Sequence, residues 1–332
     1  MNDPLNDFGF APPQADLRAA RRRLAVPAFA IAFVFLCSLL VQVGAVAVIR
    51  RYFPALLEID WFPWILSMVP MYGVAMPLSL LLFRLAPPEE PASPRGKLSF
   101  PAFLGLWAIC ISLTFAGNIL GQIVNSIIGS ITGEMPSNDL ESLTLASPLW
   151  INLLFAGILA PVMEEIFYRK LVIDRLRPFG DLPAILLSGL LFGLIHGNFH
   201  QFFYAAAIGL LFGYIYLYTG SIKTTLALHM CINLMGGVYS VEMLKKFDLV
   251  LFETAPMTAI LDGFGGFSMM MSYLAFAAIA IIATPVAIVL LRRYLRLQKS
   301  RAPLSPAQWA KVLLLNPGVW ILALVILYLF LG

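Results

Sequence analysis

Seven residues near the middle of this sequence are of types that do chemistry, and they sit where the chain is otherwise apolar. Glu164, Glu165 and Arg169 lie in Glu-Glu-Ile-Phe-Tyr-Arg, Phe192 and His196 in Phe-Gly-Leu-Ile-His, and His229 and Asn233 in His-Met-Cys-Ile-Asn. On a helix Glu165 and Arg169 stand one turn apart and can pair, while Glu164 points about 100° away and is free for another task. Phe192 stands one turn before His196, and His229 shares a face with Asn233. A carboxylate held among apolar side chains becomes a stronger base, and an imidazole beside it can hold and polarise a water. A second imidazole and an amide can donate hydrogen bonds to an oxygen on which charge develops. Glu164, His196, His229 and Asn233 are therefore a minimal set for hydrolysing a peptide bond with water. Glu164, His196 and His229 could instead hold a divalent metal such as zinc that activates the water. The glutamate mechanism is preferred. The set offers only three good zinc ligands, the chain has no His-Glu-x-x-His helix, and no cofactor is expected.

Each motif alone has a plainer reading. Two Glu followed by Arg can mark a helix end, a lone His can be an interior hydrogen-bonding residue, and His229 with Asn233 can bridge two membrane helices. An ionisable side chain inside a membrane span costs about 2.5–3.5 kcal/mol even on the gentler insertion scales, so it persists with a partner and usually a task. Three such motifs on neighbouring spans favour a shared one.

The elements that must position these groups are membrane helices. Of the 332 residues 60% are hydrophobic and only 12% are charged, too few charges to clothe a soluble surface. Uncharged runs point to an all-α, polytopic transmembrane bundle with a polar cavity in its core. Long alternating segments are lacking, which argues against a membrane β-barrel. Apolar runs fall near 24–49, 61–83, 103–128, 148–167, 183–199, 202–219, 224–241, 267–291 and 317–331, giving nine spans, or eight if a short run does not cross. The first run is too long for a secretory signal. It follows a basic tail at 1–23, and the chain divides into N-terminal spans (24–147), a catalytic core (148–241) and C-terminal spans (242–332). A fifth span starting at Pro183 puts His196 about 20 Å deep, past mid-membrane.

The net charge of +4 does not indicate nucleic acid, because the basic residues sit between the spans. With the N-terminus inside, 18 of the 22 Lys and Arg fall on inner segments, and the outer loop 129–147 carries only Glu134, Asp139 and Glu141. Cys37, Cys110 and Cys231 have no metal-ligand spacing and read as small apolar residues.

The three motifs, in this order and on separate spans, resemble the CPBP family of CAAX-protease-like (Abi) intramembrane endopeptidases, whose pattern is Glu-Glu-x-x-x-Arg, Phe-x-x-x-His and His-x-x-x-Asn or Asp. The Gly-rich stretch from Gly209 to Ile222 resembles the family's segment before the third motif. The resemblance covers roughly 148–241. It implies a conical cavity open to the cytosolic side. It makes Glu164 the water activator with His196, His229 and Asn233 the oxyanion or water-holding pair, and Glu165 with Arg169 a pair that shapes the site, supported by Phe192. His200 is outside the family pattern.

The expected activity is an intramembrane endopeptidase acting on a membrane protein or peptide in the lipid bilayer of a bacterial plasma membrane, with the N-terminus cytoplasmic. The rivals are a proton-coupled transporter and a non-catalytic immunity or scaffold protein on the same fold. A rhomboid-type Gly-x-Ser-Gly and an aspartyl-type Gly-x-Gly-Asp are both lacking.

Overall fold

The computed structural model describes residues 16–88, 94–247, 249–300 and 303–331. Most of the basic tail and part of the polar linker around Glu89 and Glu90 lie outside the described residues. The described residues are almost wholly helical, and their one β feature is an isolated bridge between Gly180 and Lys299.

In chain order, α1 is Leu17–Tyr52, α2 is Phe62–Phe83, α3 is Phe100–Thr132, α4 is Asp139–Ala146 and α5 is Leu149–Phe179. Then come α6 (Asp181–Leu194), α7 (Phe199–Thr219) and α8 (Ile222–Asn233), which runs on through Leu234–Tyr239 and Ser240–Lys246. The short α9 (Leu249–Thr254) and α10 (Pro256–Asp262) precede α11 (Phe264–Leu291), α12 (Pro306–Leu314) and α13 (Pro317–Leu331). The starts follow local chemistry. Asp16, Ser99, Asn138, Asn198 and Ser221 each accept a backbone N–H in the first turn that follows, and Ser305 with Gln308 completes a capping box.

The chain is a polytopic helical bundle. Among the described residues six helices can cross a membrane by length and apolar composition, or seven if the bent pair α12–α13 is one broken span. The expected eight to nine spans are not reached on these criteria, and the difference has identifiable causes. The 183–199 run forms only the 14-residue α6, about 21 Å long. The 224–241 run belongs to a helix that carries His229, Asn233, Glu242 and Lys245 and is too polar to count. Helix α1 begins at Leu17, so Arg18 to Arg23 form its first turns rather than a tail.

One pair of helices fixes the centre of the bundle. Helices α6 and α7 form a tight antiparallel hairpin through Gly189, Gly193 and Gly209. A Cβ on Gly189 would lie 2.7 Å from the backbone nitrogen of Leu210, and one on Gly193 would lie 2.8 Å from the Phe202 carbonyl oxygen. This is the close backbone approach that small residues allow between membrane helices. Gly117 and Gly121 of α3 meet the backbone of Tyr204 and Phe199 in the same way.

Candidate active site

The seven residues come from helices α5, α6 and α8 and the turn after α6, with α2 packed beside them, and α2, α5 and α8 are locally widened. Helix α5 contains π-helical turns at Leu153–Leu159 and Glu165–Ile173, α8 continues into one at Leu234–Tyr239, and α2 contains another at Val69–Ala75. A π-turn shifts the register of a helix face and leaves carbonyls to be satisfied elsewhere. All four border one cavity of about 250 Å³. Its walls include Glu164, Tyr168, Phe192, His196, His229 and Asn233, together with Tyr72, Gln201 and Tyr204.

Glu164 is the most accessible acid of the group, its side chain 15% exposed. The Tyr72 hydroxyl donates to Glu164 Oε1 at 3.0 Å, and His229 Nε2 lies 3.6 Å from Oε2. Glu165 points the other way and is fully buried. Its Oε2 accepts from Arg169 Nε at 3.2 Å, and its Oε1 lies 3.1 Å from His229 Nδ1. His229 thus stands between the two adjacent carboxylates, with one ring nitrogen toward each. Arg169 also donates from Nη1 to Ser188 Oγ (3.1 Å), which in turn donates to the Tyr168 carbonyl. Its guanidinium lies over the rings of Phe192 (5.1 Å) and Phe212 (5.8 Å), which replaces part of its lost hydration.

His196 is held in the turn between α6 and α7. Its Nδ1 donates to the Phe192 carbonyl (2.7 Å), which leaves Nε2 free to accept or hold a proton. The turn needs Gly197 next, at φ +67°. The ring of Phe192 stands edge-on to both His196 (5.2 Å) and His229 (5.7 Å), so it spaces the two imidazoles. Asn233 donates from Nδ2 to the Ala156 carbonyl at 2.9 Å, inside the first π-turn of α5. One of its two amide hydrogens is therefore used on the scaffold.

All the residues singled out in the sequence are thus gathered around one cavity, with Glu165 and Arg169 just behind its wall. His200 is not: its Nε2 bonds the Pro136 carbonyl in the loop before α4. Sequence reasoning missed Tyr72, Ser188, Gln201 and Tyr204. A hydroxyl-bearing Tyr between Pro70 and Gly73 in an apolar run was the available signal for Tyr72.

The cavity lies toward one set of helix ends. Its lining reaches Leu140 of α4 and Trp64 at the start of α2. At the other end it stops at Met76, Tyr168 and His229, each seven or more residues, roughly 10 Å, short of the basic end of its helix.

A metal would need Glu164, His196 and His229. Among the described residues no three His, Cys, Asp or Glu side chains are grouped so as to hold one. His196 Nε2 and His229 Nε2 are the nitrogens a metal would take, each ring being oriented through Nδ1, but as placed the three side chains are not grouped around one point. No step below runs through a metal.

Residues 146–235 match the family model described as Type II CAAX prenyl endopeptidase Rce1-like. The chain is 25% identical over 172 residues to the putative membrane peptidase YdiL of Bacillus subtilis (strain 168), covering 51% of this chain and 68% of that protein. It is 28% identical over 153 residues to the membrane-embedded CAAX protease MroQ of Staphylococcus aureus (strain USA300), covering 42% of this chain and 61% of that one. No solved structure matches. The matched segment holds all three motifs and every residue of the paired-glutamate cluster except Tyr72, and over it the chain is similar to the CAAX-protease-like membrane proteins.

Proposed function

We propose that the chain is an intramembrane endopeptidase that hydrolyses a peptide bond of a membrane-associated protein or peptide with a water activated by Glu164 and His196. The observation that carries this reading is the sharing of one cavity by Glu164 and both imidazoles, walled by an otherwise apolar bundle. Glu164 Oε2 and the free Nε2 of His196 both face space that a water can fill. The water oxygen attacks the scissile carbonyl carbon and forms the new C–O bond, while its proton passes to this Glu–His pair. The carbonyl oxygen takes the negative charge and is met by His229 Nε2–H and the remaining amide hydrogen of Asn233. Breakage of the C–N bond then returns the captured proton to the leaving amine. Tyr72 holds one oxygen of Glu164, so the other is presented to the water.

Glu165 and Arg169 act through His229. A buried carboxylate against Nδ1 fixes the ring and aims its Nε2 at the cavity. The relatives' names, a membrane peptidase and a CAAX protease, support the same reaction class.

The test compares membrane proteomes from cells carrying the wild type or Glu164→Ala at equal expression. A discrete set of peptide termini made only by the wild type is expected. Identical termini would sink the reading in favour of a transporter or a non-catalytic membrane protein.

A further inference from the structure

The helix ends divide into two faces of opposite character. One gathers Arg18 to Arg23, Arg84, Arg95, Arg175, Arg177, Lys223 and Arg292 to Lys299. Direct contacts tie this face together. Arg95 forks onto Asp181 at 2.5 and 2.8 Å, Arg175 donates to the Phe83 carbonyl, and Asn316 donates to the Arg21 carbonyl. The opposite face gathers Glu58, Asp60, Glu134, Asp139, Glu141 and Glu242 against four basic residues, Arg50, Arg51, Lys245 and Lys246, of which Lys245 pairs with Glu242. It too is tied together: Trp61 stacks edge-on with Trp150, Trp64 donates to Ser147, and His200 bonds Pro136.

The cavity belongs to this second face. Leu140, 38% exposed, stands on its rim. Toward the basic face the way is shut. The rings of Phe83, Phe167, Tyr168 and Phe192 follow one another edge to face at 5.5, 5.3 and 5.3 Å, each residue at most 2% exposed. Behind them Val172, Ile173 and Leu176 are fully buried.

Basic segments are retained on the cytoplasmic side of a membrane. We propose that the cavity therefore opens away from the cytoplasm, beside α4, and that its substrate presents the scissile bond from the extracytoplasmic side or the outer leaflet. The substrate half of this rests on the endopeptidase reading; the orientation does not.

The test uses a chain with Cys37, Cys110 and Cys231 replaced by Ala and a single cysteine introduced as L140C or K223C. Each is treated with a membrane-impermeant maleimide in spheroplasts of a bacterial host and in inside-out vesicles. The L140C chain is expected to label in spheroplasts and be protected in inside-out vesicles, and K223C the reverse. Labelling of L140C only in inside-out vesicles, or of both positions from one side, would overturn the orientation. Repeating L140C labelling with Glu164→Ala added separates this result from catalysis. If the chain cleaves, new termini are expected in outward-facing or outer-leaflet parts of its substrates, and termini confined to cytoplasmic segments would overturn the substrate half. An absence of cleavage would instead refute the endopeptidase reading and leave the labelling result standing.

Discussion

Glu165→Gln is the sharpest probe of how the site is held. It keeps size and shape but removes the charge from a carboxylate whose side chain, like that of Arg169, is fully buried. Among the described residues Arg169 pairs with no other anion: its further contacts are the Ser188 hydroxyl and two aromatic faces, and its Nη2 has no hydrogen-bond partner. Breaking a buried pair from one side costs about 3–5 kcal/mol, because the surviving charge stays desolvated. At roughly 2 °C per kcal/mol for a chain of this size, the melting midpoint should fall by roughly 6–10 °C. The assay is tryptophan-fluorescence melting of the detergent-solubilised protein. Adding Arg169→Met should recover most of the loss, since replacing both partners removes the stranded charge. Cleavage should stay low in the double variant, because the carboxylate that orients the His229 ring through Nδ1 is gone. A single variant that melts within a degree of the wild type would refute the pairing argument.

Tyr72→Phe should leave the fold intact, since the ring stays packed, yet slow cleavage on the order of 10- to 100-fold by removing a hydrogen bond to a charged group worth about 1.5–3 kcal/mol; rates with a peptide found in the proteome comparison check this. Gly193→Ala should lower both melting and cleavage, because its Cβ would press on Phe202 and Ala206 and push His196 out of place, whereas Gly236→Ala meets nothing within 4 Å and should be silent in both assays. Cleavage should survive incubation with a strong zinc chelator, and its loss with rescue by added zinc would replace the glutamate mechanism with a metal-dependent one.

Charge and hydropathy made the bundle and its buried motifs legible. Glu164, His196 and His229 could be found because each is costly where it stands, and cost is visible in a single sequence. The number of crossings was not legible in the same way. Hydropathy cannot tell a helix that crosses lipid from one shielded by neighbours, and α6 is short because the Gly189–Gly193 face sinks against α7. That shortness also resolves the depth of His196. The residue is not inside a span but in the turn that ends the short helix α6, so its distance along the chain from Pro183 does not bury it past the site.

The π-turns were illegible for a different reason, and they account for what the motifs look like. Hydrophobic periodicity assumes 3.6 residues per turn, and a π-turn breaks that count without a residue signature of its own. A widened turn frees backbone carbonyls in a medium that offers no water to satisfy them. Asn233 bonds one of these, Ala156 O, across from the neighbouring helix. Read only as an oxyanion donor, Asn233 has one duty; in the structure it has two hydrogens and divides them between the scaffold and the cavity. This predicts a difference between substitutions at one position. Asn233→Asp keeps an acceptor but loses the donor to Ala156, so it should destabilise the protein as well as inactivate it. Asn233→Gln, longer by one methylene, should recover the backbone bond only by moving its second hydrogen out of the cavity. Stability retained with activity lost in the Gln variant is expected from a shared duty; full activity in the Asp variant would show that neither hydrogen is needed.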